Sequence, residues 1–345
     1  MHRPLLVLFA LLICAFVVAA CGGDDDVDVQ EVLRQTFAED KDIKSGRLDV
    51  SLRLDAEGSE QLRGPVTARL SGPFASTGSN ELPRFAFEAN LDAGGQSIRA
   101  GATSTGDEGF VSFQGQAYQL SDQLFQQFKQ GYAEEARKSN DDGEGVSFQS
   151  LGVDPQRWLR DPEFVDRQEV GGTETLHIRS GIDIPRLLED VNKVLGRAEA
   201  IQGQQARQLT EKERAQIQEA ITDADLELWT GEDDKILRRL NVRLAFDVPE
   251  ERRQRAQGLS SGVIRFELGL GAINEEQTID APENARPLDE LLQAIQGGAQ
   301  AGPGGTGSGG QPAPPPEDLS PYEQCVAEAG GDVAKLQECA GLPTS

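Results

Sequence analysis

The chain has 345 residues, of which 37% are hydrophobic, and it carries a formal net charge of −25 at pH 7. So acidic a chain is repelled by nucleic acid and by anionic headgroups, which excludes a nucleic-acid partner and a membrane contact made through charge. Its length suits one large domain or two small ones, and its apolar content is enough for a core.

An apolar run from Leu5 to Ala20 follows the basic Arg3 and ends in the lipobox Val18-Ala19-Ala20-Cys21. The run is too short for a typical membrane-spanning helix, so it predicts a cleaved signal sequence over residues 1–20. Cys21 would then be the first mature residue and would carry palmitate or a similar acyl chain. We expect an extracytoplasmic protein that is lipid-anchored to the cell membrane. The alternative is an ordinary signal peptide or an uncleaved anchor with a chance cysteine.

Residues 21–26 form a short acidic spacer, and the pattern of the folded domain begins at residue 27. Asp28 can cap an amphipathic helix on which Val29, Leu33 and Phe37 share one face. Apolar and polar residues then alternate, which is typical of strands with one buried face. This pattern predicts strands over Gly46–Asp55, Val66–Leu70, Phe85–Leu91, Ile98–Ala102, Phe110–Phe113 and Ala117–Leu120, the last two forming a hairpin across Gln114-Gly115-Gln116.

The second half of the domain mixes helical and strand patterns, with caps that mark several helix starts. In chain order we first predict a helix after Ser121, a short helix at Asp154–Leu159 that begins with proline, and a hairpin of Phe164–Val170 and Thr173–Ser180. A helix capped by Asp183 follows, and then a helix with the capping box Thr210–Glu213 that includes Ile217 and Ile221. The last predicted elements are strands at Asp225–Thr230, Ile236–Val248 and Gly262–Ile273 and a helix through Ile295.

These elements amount to about eleven antiparallel strands interrupted by helices, with no alternation of strand and helix that would indicate a parallel sheet. The predicted fold class is α+β. We expect one strongly curved antiparallel sheet whose concave face is covered by helices.

The C-terminal end is predicted to be separate from this domain. Residues 297–316 contain eight glycines and five prolines, which indicates a linker. Residues 317–345 carry two capped helical segments, with Cys325 on one and Cys339 on the other. Since Cys14 is lost with the signal and Cys21 is acylated, these two cysteines are left to form a disulfide, worth about 3 kcal/mol in the chain-entropy model. The result would be a small αα-hairpin.

Residues that could carry covalent chemistry are scarce. His177 is the only histidine after the predicted signal, and its strand pattern predicts a side chain that faces solvent. We find no metal-ligand cluster, phosphate loop or nucleophile motif, so we expect no catalytic residue, no metal and no cofactor, and the chain is predicted not to be an enzyme. A hydrolase with a carboxylate pair is the third-ranked alternative.

A set of large apolar residues lies in the middle strands and on the helix after Ser121. Each of them either packs in a core or lines a cavity that a curved, helix-covered sheet leaves open. A cavity of this kind could shield an acyl chain, because each buried methylene is worth about 0.8 kcal/mol. The candidate lining residues are Phe85, Phe87, Phe110, Phe113, Leu120, Leu124, Phe125 and Phe128.

Several segments together resemble a known family: the lipobox, Asp42–Gly46 before the first strand, the Trp158 segment, the hairpin into Gly181–Pro185, and Asp225–Thr230 followed by Lys235–Phe246. Over about residues 27–296 the chain resembles the LppX/LprG-type lipoproteins of actinobacteria, relatives in shape of the LolA/LolB lipoprotein carriers. The resemblance implies a half-barrel of antiparallel strands with helices across its mouth. It also implies a hydrophobic cavity that binds lipids or lipoglycans for transport across the envelope.

The leading hypothesis is therefore a membrane-anchored lipoprotein that carries or holds an amphipathic ligand, with a helical lid between Ser121 and Leu159. The alternative is an envelope sensor or assembly scaffold that has the same fold with a filled core. In that role the C-terminal hairpin, residues 317–345, would bind a protein partner of the envelope.

Overall fold

The computed structural model describes residues 27–38, 41, 43–60, 62, 64–78, 81–139, 153–202 and 207–298. The predicted signal sequence, the predicted acylation site Cys21 and its spacer, and the predicted C-terminal hairpin with Cys325 and Cys339 lie outside the described residues, as does nearly all of the predicted linker. The chain divides into two units after Leu292, and all of the described strands belong to the first unit.

Twelve strands form one open, curved sheet. They are β1 Ser45–Glu57, β2 Val66–Ala75, β3 Arg84–Ala93, β4 Gln96–Ser104, β5 Gly109–Phe113, β6 Gln116–Gln119, β7 Leu159–Val170, β8 Thr173–Ile182, β9 Ile221–Gly231, β10 Leu237–Asp247, β11 Ser261–Gly271 and β12 Arg286–Pro287. The spatial order is β12-β6-β5-β4-β3-β2-β1-β11-β10-β9-β8-β7. Only the two-residue contact between β12 and β6 is parallel, which confirms the predicted antiparallel α+β architecture.

The described residues also form six α-helices and one 3-10 helix. The helices are α1 Val29–Thr36, α2 Asp122–Ser139, α3 Ile184–Gln202, α4 Glu211–Ala220, α5 Glu250–Arg253 and α6 Leu288–Gly298, and the 3-10 helix is Pro155–Trp158.

The helix starts follow the capping residues of the sequence. The Asp28 side chain accepts a hydrogen bond from the Glu31 amide at 3.1 Å, and Ser121 accepts one from the Leu124 amide at 3.3 Å. Thr210 and Glu213 form the predicted capping box. These contacts satisfy backbone N–H groups that a helix start otherwise leaves without partners, and they fix where each helix begins.

The alternation of apolar and polar residues gives the sheet one apolar face and one polar face. Across the strands, Val50 of β1 is paired with Leu70 on one side and Leu268 on the other. The same row continues through Leu240 and Leu228 to Ile178 on β8. Because side chains of paired residues lie on the same face, the apolar face is continuous from β8 to β2 and beyond.

The buried core covers only one half of this apolar face. It lies over β8, β9 and β10, where Ile178, Leu226, Leu228 and Leu240 are almost fully buried. Val32 and Leu33 of α1, Trp158 of the 3-10 helix and Leu187 of α3 pack on them. Full burial of one such side chain contributes about 1.5–3 kcal/mol, so these short elements are held mainly by packing on the sheet.

Some boundaries differ from the sequence prediction. Ile221, predicted to lie in the helix of the capping box, is the first residue of β9 and pairs with Phe246. A β-branched residue opposite an aromatic one is favourable in a sheet, and this contact is distant in the sequence. The sequence pattern does not predict the twelfth strand, β12. Helix α6 continues to Gly298, so the first two residues of the predicted linker are helical.

Candidate functional site

The other half of the apolar face, over β1 to β5, exposes large apolar side chains. Leu52, Leu70, Leu91, Ile98 and Phe113, which we call the open apolar strip, keep between 37% and 46% of their surface accessible. Each belongs to a different neighbouring strand. Single exposed apolar residues are ordinary, but a row of them on one face marks a binding surface.

The strand register brings the strip together in two adjacent rows. In one row Leu52 is followed by Ala68, Leu91 and Ile98, and in the next Leu70 is followed by Ala89, Ala100 and Phe113. The alanines lie between the large residues and leave shallow recesses. With strands about 4.8 Å apart, the strip is roughly 19 Å wide across five strands.

Helix α2 borders this half of the face and is fixed at its first turn. Phe125 is buried against β5, where a Cβ on Gly109 would lie 2.4 Å from the Phe125 ring. Lys129 donates to the carbonyl oxygen of Gly106 at 2.8 Å, with its ammonium 5.7 Å from the Phe125 ring centroid. Burial raises the pKa of Tyr132 one turn further on. The face of α2 that carries these residues is therefore turned toward the protein.

The eight predicted cavity residues fall into different environments. Phe85 and Phe87 are half-buried on the apolar face with their rings stacked at 5.2 Å, and Leu120 is half-buried at the end of β6. Phe113, Leu124 and Phe128 are exposed, and Phe125 is buried. Phe110 is also buried, but it lies three residues from Phe113 on one strand and so belongs to the polar face.

Two cavities open on the polar face. One of about 640 Å³ lies between β1–β6 and residues 282–284, and its walls include Arg47, Glu88 and Thr103. The other, of about 490 Å³, lies over β8–β11 and is walled by Arg179, Glu227, Asn241 and Glu267 among others. The first is lined mainly by polar surface. The second has polar and apolar surface in similar amounts, but most of the residues around it are charged, which does not suit an acyl chain.

His177 is buried, which corrects the prediction of a solvent-facing side chain. Only 5% of its surface is accessible. Its ring stacks on Trp229 at a centroid distance of 4.4 Å, and its Nδ1 lies 3.1 Å from Oδ1 of Asp166. The alternation places His177 on the polar face correctly, but its burial comes from Trp229 and Asp166 on the two adjacent strands. Their proximity cannot be read from the local sequence.

A buried carboxylate fixes the segment that leads into β7. Asp190 of α3 accepts hydrogen bonds from the Asp154 amide at 2.9 Å, from Trp158 Nε1 at 3.0 Å and from Lys193 Nζ at 2.6 Å. Burial by itself would raise the pKa of Asp190, but these three donors outweigh it and hold the pKa below its usual value. Asp190 thus connects α3 to the 3-10 helix.

Two further properties concern the described residues only. No group of three or more histidine, cysteine, aspartate or glutamate side chains in them is placed to hold a metal ion. Within the same part of the chain, no helix combines the length and the apolar character needed to cross a membrane.

Comparison with solved structures finds two mycobacterial lipoproteins and a LolA-superfamily protein, all at low sequence identity and low TM-score. The Mycobacterium tuberculosis lipoprotein LppX is 13% identical, with 73% of this chain and 100% of that chain covered and a TM-score of 0.33. LprF from Mycobacterium bovis is 12% identical, with 73% of this chain and 96% of that chain covered and a TM-score of 0.35. A LolA-superfamily protein from Nitrosomonas europaea is 7% identical, with coverages of 74% and 94% and a TM-score of 0.18. No family model matches the sequence, and no curated protein matches it.

Proposed function

We propose that this protein is an envelope lipoprotein that binds the acyl part of an amphipathic lipid on the open apolar strip and carries or holds it without covalent chemistry. One observation supports this proposal above all. The apolar face is continuous, yet α1, α3 and the 3-10 helix cover only its β8–β10 half, while Leu52, Leu91 and Ile98 on the other half remain exposed.

The energetics favour an acyl ligand. Each methylene removed from water contributes about 0.8 kcal/mol, so ten half-covered methylenes would contribute about 4 kcal/mol. The recesses at Ala68, Ala89 and Ala100 lie between larger side chains, and a flexible chain can fill them without moving the sheet. Leu124 and Phe128 of the neighbouring α2 are also exposed and would cover a lipid from that side.

The location and the partners are proposed from the sequence. An acyl chain on Cys21 would hold the protein to the outer side of the cell membrane, since the net charge of −25 gives no attraction to anionic lipid. The lipid or lipoglycan ligand would come from the same envelope. The hairpin of residues 317–345, closed by a disulfide between Cys325 and Cys339, would serve as the contact for an envelope protein.

A binding assay with a matched pair of variants tests the acyl site. The full chain is titrated with a fluorescent long-chain fatty acid. Ile98→Asp places a charge in the strip and is expected to weaken binding at least about tenfold, because a carboxylate would have to be desolvated beside the acyl chain. Ser97→Asp adds the same charge on the opposite face of the same strand, and is expected to bind like the parent.

A second measurement identifies the natural ligand. The protein is purified from its own host and extracted with organic solvent, which leaves a covalent anchor on the chain and releases bound lipid for mass spectrometry. A stoichiometric lipid supports the carrier. An empty extract, together with no uptake of the fluorescent acid, contradicts it and leaves the scaffold role, in which a protein covers the strip.

A further inference from the structure

His177 lies on the polar face between two carboxylates that come from the strands on either side of it. Its Nδ1 is 3.1 Å from Oδ1 of Asp166 on β7, and its Nε2 is 3.6 Å from Oε1 of Glu227 on β9. Only 5% of the residue is accessible, so both ring nitrogens have to find their partners inside the protein.

The two nitrogens are not equally satisfied. Nε2 is buried and has no hydrogen-bond partner among the described residues, although a carboxylate oxygen lies just beyond bonding distance. A neutral imidazole has a single N–H group. If that group is on Nδ1 and donates to Asp166, the lone pair of Nε2 faces the Glu227 carboxylate, and two acceptors oppose each other. If it is on Nε2, Nδ1 can accept from Gln168 Nε2 at 3.4 Å, but its lone pair then faces Oδ1 of Asp166 at 3.1 Å. A second proton on the ring supplies the missing donor.

The charged groups around the ring agree with a cation at this position. On β7 the nearest charge is Asp166, which accepts from the neutral Gln168 at 3.2 Å. On β9 it is Glu227, whose Oε1 accepts from Nε and Nη2 of Arg179, on the same strand as His177, at 3.1 and 2.9 Å. Arg179 therefore pairs with Glu227, whereas among the described residues Asp166 has an ion pair with His177 and with no arginine or lysine.

The third side of the ring is aromatic. Trp229 stacks on His177 with an angle of 6° between the ring planes, and Arg239 of β10 lies 5.4 Å from the Trp229 ring centroid. An aromatic face attracts a cation, so stacking is compatible with a charged imidazole. Arg179 already lies at Glu227, which favours a single proton there over a divalent metal ion.

We propose that His177 is a proton-dependent clamp that connects the edge strand β7 to β9 across β8. When the ring carries two protons, Nδ1–H donates to Asp166 and Nε2–H donates to Glu227, so that one side chain bonds both neighbouring strands. When it carries one proton, on Nδ1, the bond to Glu227 is lost. The clamp lies where the pairing of β7 with β8 is irregular, since the β7–β8 register shifts between Phe164 and Asp166.

The protonation state can be read directly by nuclear magnetic resonance. His2 and His177 are the only histidines of the chain, so ¹⁵N-histidine labelling of the untagged full chain gives few signals, and His177→Gln assigns them. Spectra are recorded at pH 6 and pH 8, and the clamp requires a ring with two protons at the lower pH and with one proton at the higher pH. A ring that carries one proton at both pH values overturns the clamp, and so does a spectrum that changes only on addition of zinc.

Hydrogen exchange of the β7 amides tests the mechanical role. Exchange rates are first corrected for the intrinsic effect of pH. At pH 6, Glu227→Gln removes a charge-assisted bond and is expected to speed amide exchange over residues 164–170 about tenfold. At pH 8 the same substitution is expected to speed it less than about twofold. Glu267→Gln, a carboxylate on β11 of the same face, is the matched control and should leave β7 unchanged. An equal effect of Glu227→Gln at both pH values would mean a merely structural role and would overturn the proposal.

Discussion

Phe125 fills the space that the missing side chain of Gly109 leaves above β5. A Cβ on Gly109 would lie 2.4 and 2.8 Å from two carbons of the Phe125 ring, closer than any real contact. This contact holds the first turn of α2 against β5. The helix that borders the proposed lipid site is therefore positioned in part by one glycine of the neighbouring strand.

Gly109→Ala is expected to displace Phe125 and lower the free energy of unfolding by about 1–3 kcal/mol, as overpacking of a core does. Urea unfolding followed by circular dichroism measures this change. Gly131→Ala on α2 itself is the control, because a Cβ there meets no atom within 4 Å. It should leave stability unchanged or raise it by up to about 1 kcal/mol, since alanine favours a helix more than glycine does. Equal effects of the two variants would contradict the role of the Gly109–Phe125 contact.

Asp190→Asn removes the charge that three donors share. Hydrogen bonds to charged groups are worth about 1.5–3 kcal/mol, so we expect a loss of that order in the free energy of unfolding at pH 7. Glu189→Gln, the exposed neighbour of Asp190 on α3, is the control and should change stability by less than about 0.5 kcal/mol.

The pH dependence of the same variant has a definite sign. The pKa of Asp190 is lowered from 3.8 in the folded protein, so its contribution to stability is complete above that value and is lost as the pH falls through the lower folded pKa. The difference between the parent and Asp190→Asn should therefore shrink in acid. Denaturant midpoints at pH 7, 4 and 3 measure it, and a difference that stays constant would contradict the lowered pKa.

The capping box at Glu213 provides a second test of a lowered carboxyl pKa at low pH. Hydrogen bonds from Arg207 and from the amide and hydroxyl of Thr210 lower the pKa of Glu213 to about 2. The capping box should therefore survive at pH 4, where an ordinary glutamate is largely protonated. We expect the first turn of α4 to keep its hydrogen-exchange protection at pH 4 in the parent and to lose it in Glu213→Ala, which has no side-chain acceptor for the Thr210 amide. Glu211→Ala, on the same turn, should behave like the parent.

The sequence predicts those parts of the fold that depend on neighbouring residues. Alternation locates the strands and their apolar face, and Asp28, Ser121 and Thr210 mark helix starts, because these signals act over a few residues. Contacts between distant segments decide the rest. The burial of His177 depends on Trp229, which is 52 positions away in the sequence. The division of the apolar face into a covered and an open half depends on where α1 packs, and no local pattern contains that information.

Substitutions at Leu33 and Leu52 distinguish a residue that stabilises the fold from one that is proposed to bind lipid. Leu33 of α1 is 1% exposed on the covered half of the apolar face, whereas Leu52 is 46% exposed in the open strip. Leu33→Ala should lower the free energy of unfolding by about 2–5 kcal/mol because it leaves a cavity. Leu52→Ala should cost less than about 1 kcal/mol, because the side chain is largely in water already.

The same two substitutions should affect fatty-acid binding in the opposite order, with the larger effect from Leu52→Ala. Leu52→Ala removes apolar surface from the proposed site and is expected to weaken binding about threefold to tenfold, in line with the loss of about 0.8 kcal/mol per buried methylene. Leu33→Ala, measured where it is still folded, should bind like the parent. If Leu52→Ala binds the fatty acid as tightly as the parent does, the lipid does not lie on the strip, and the exposed leucines must serve contact with a protein.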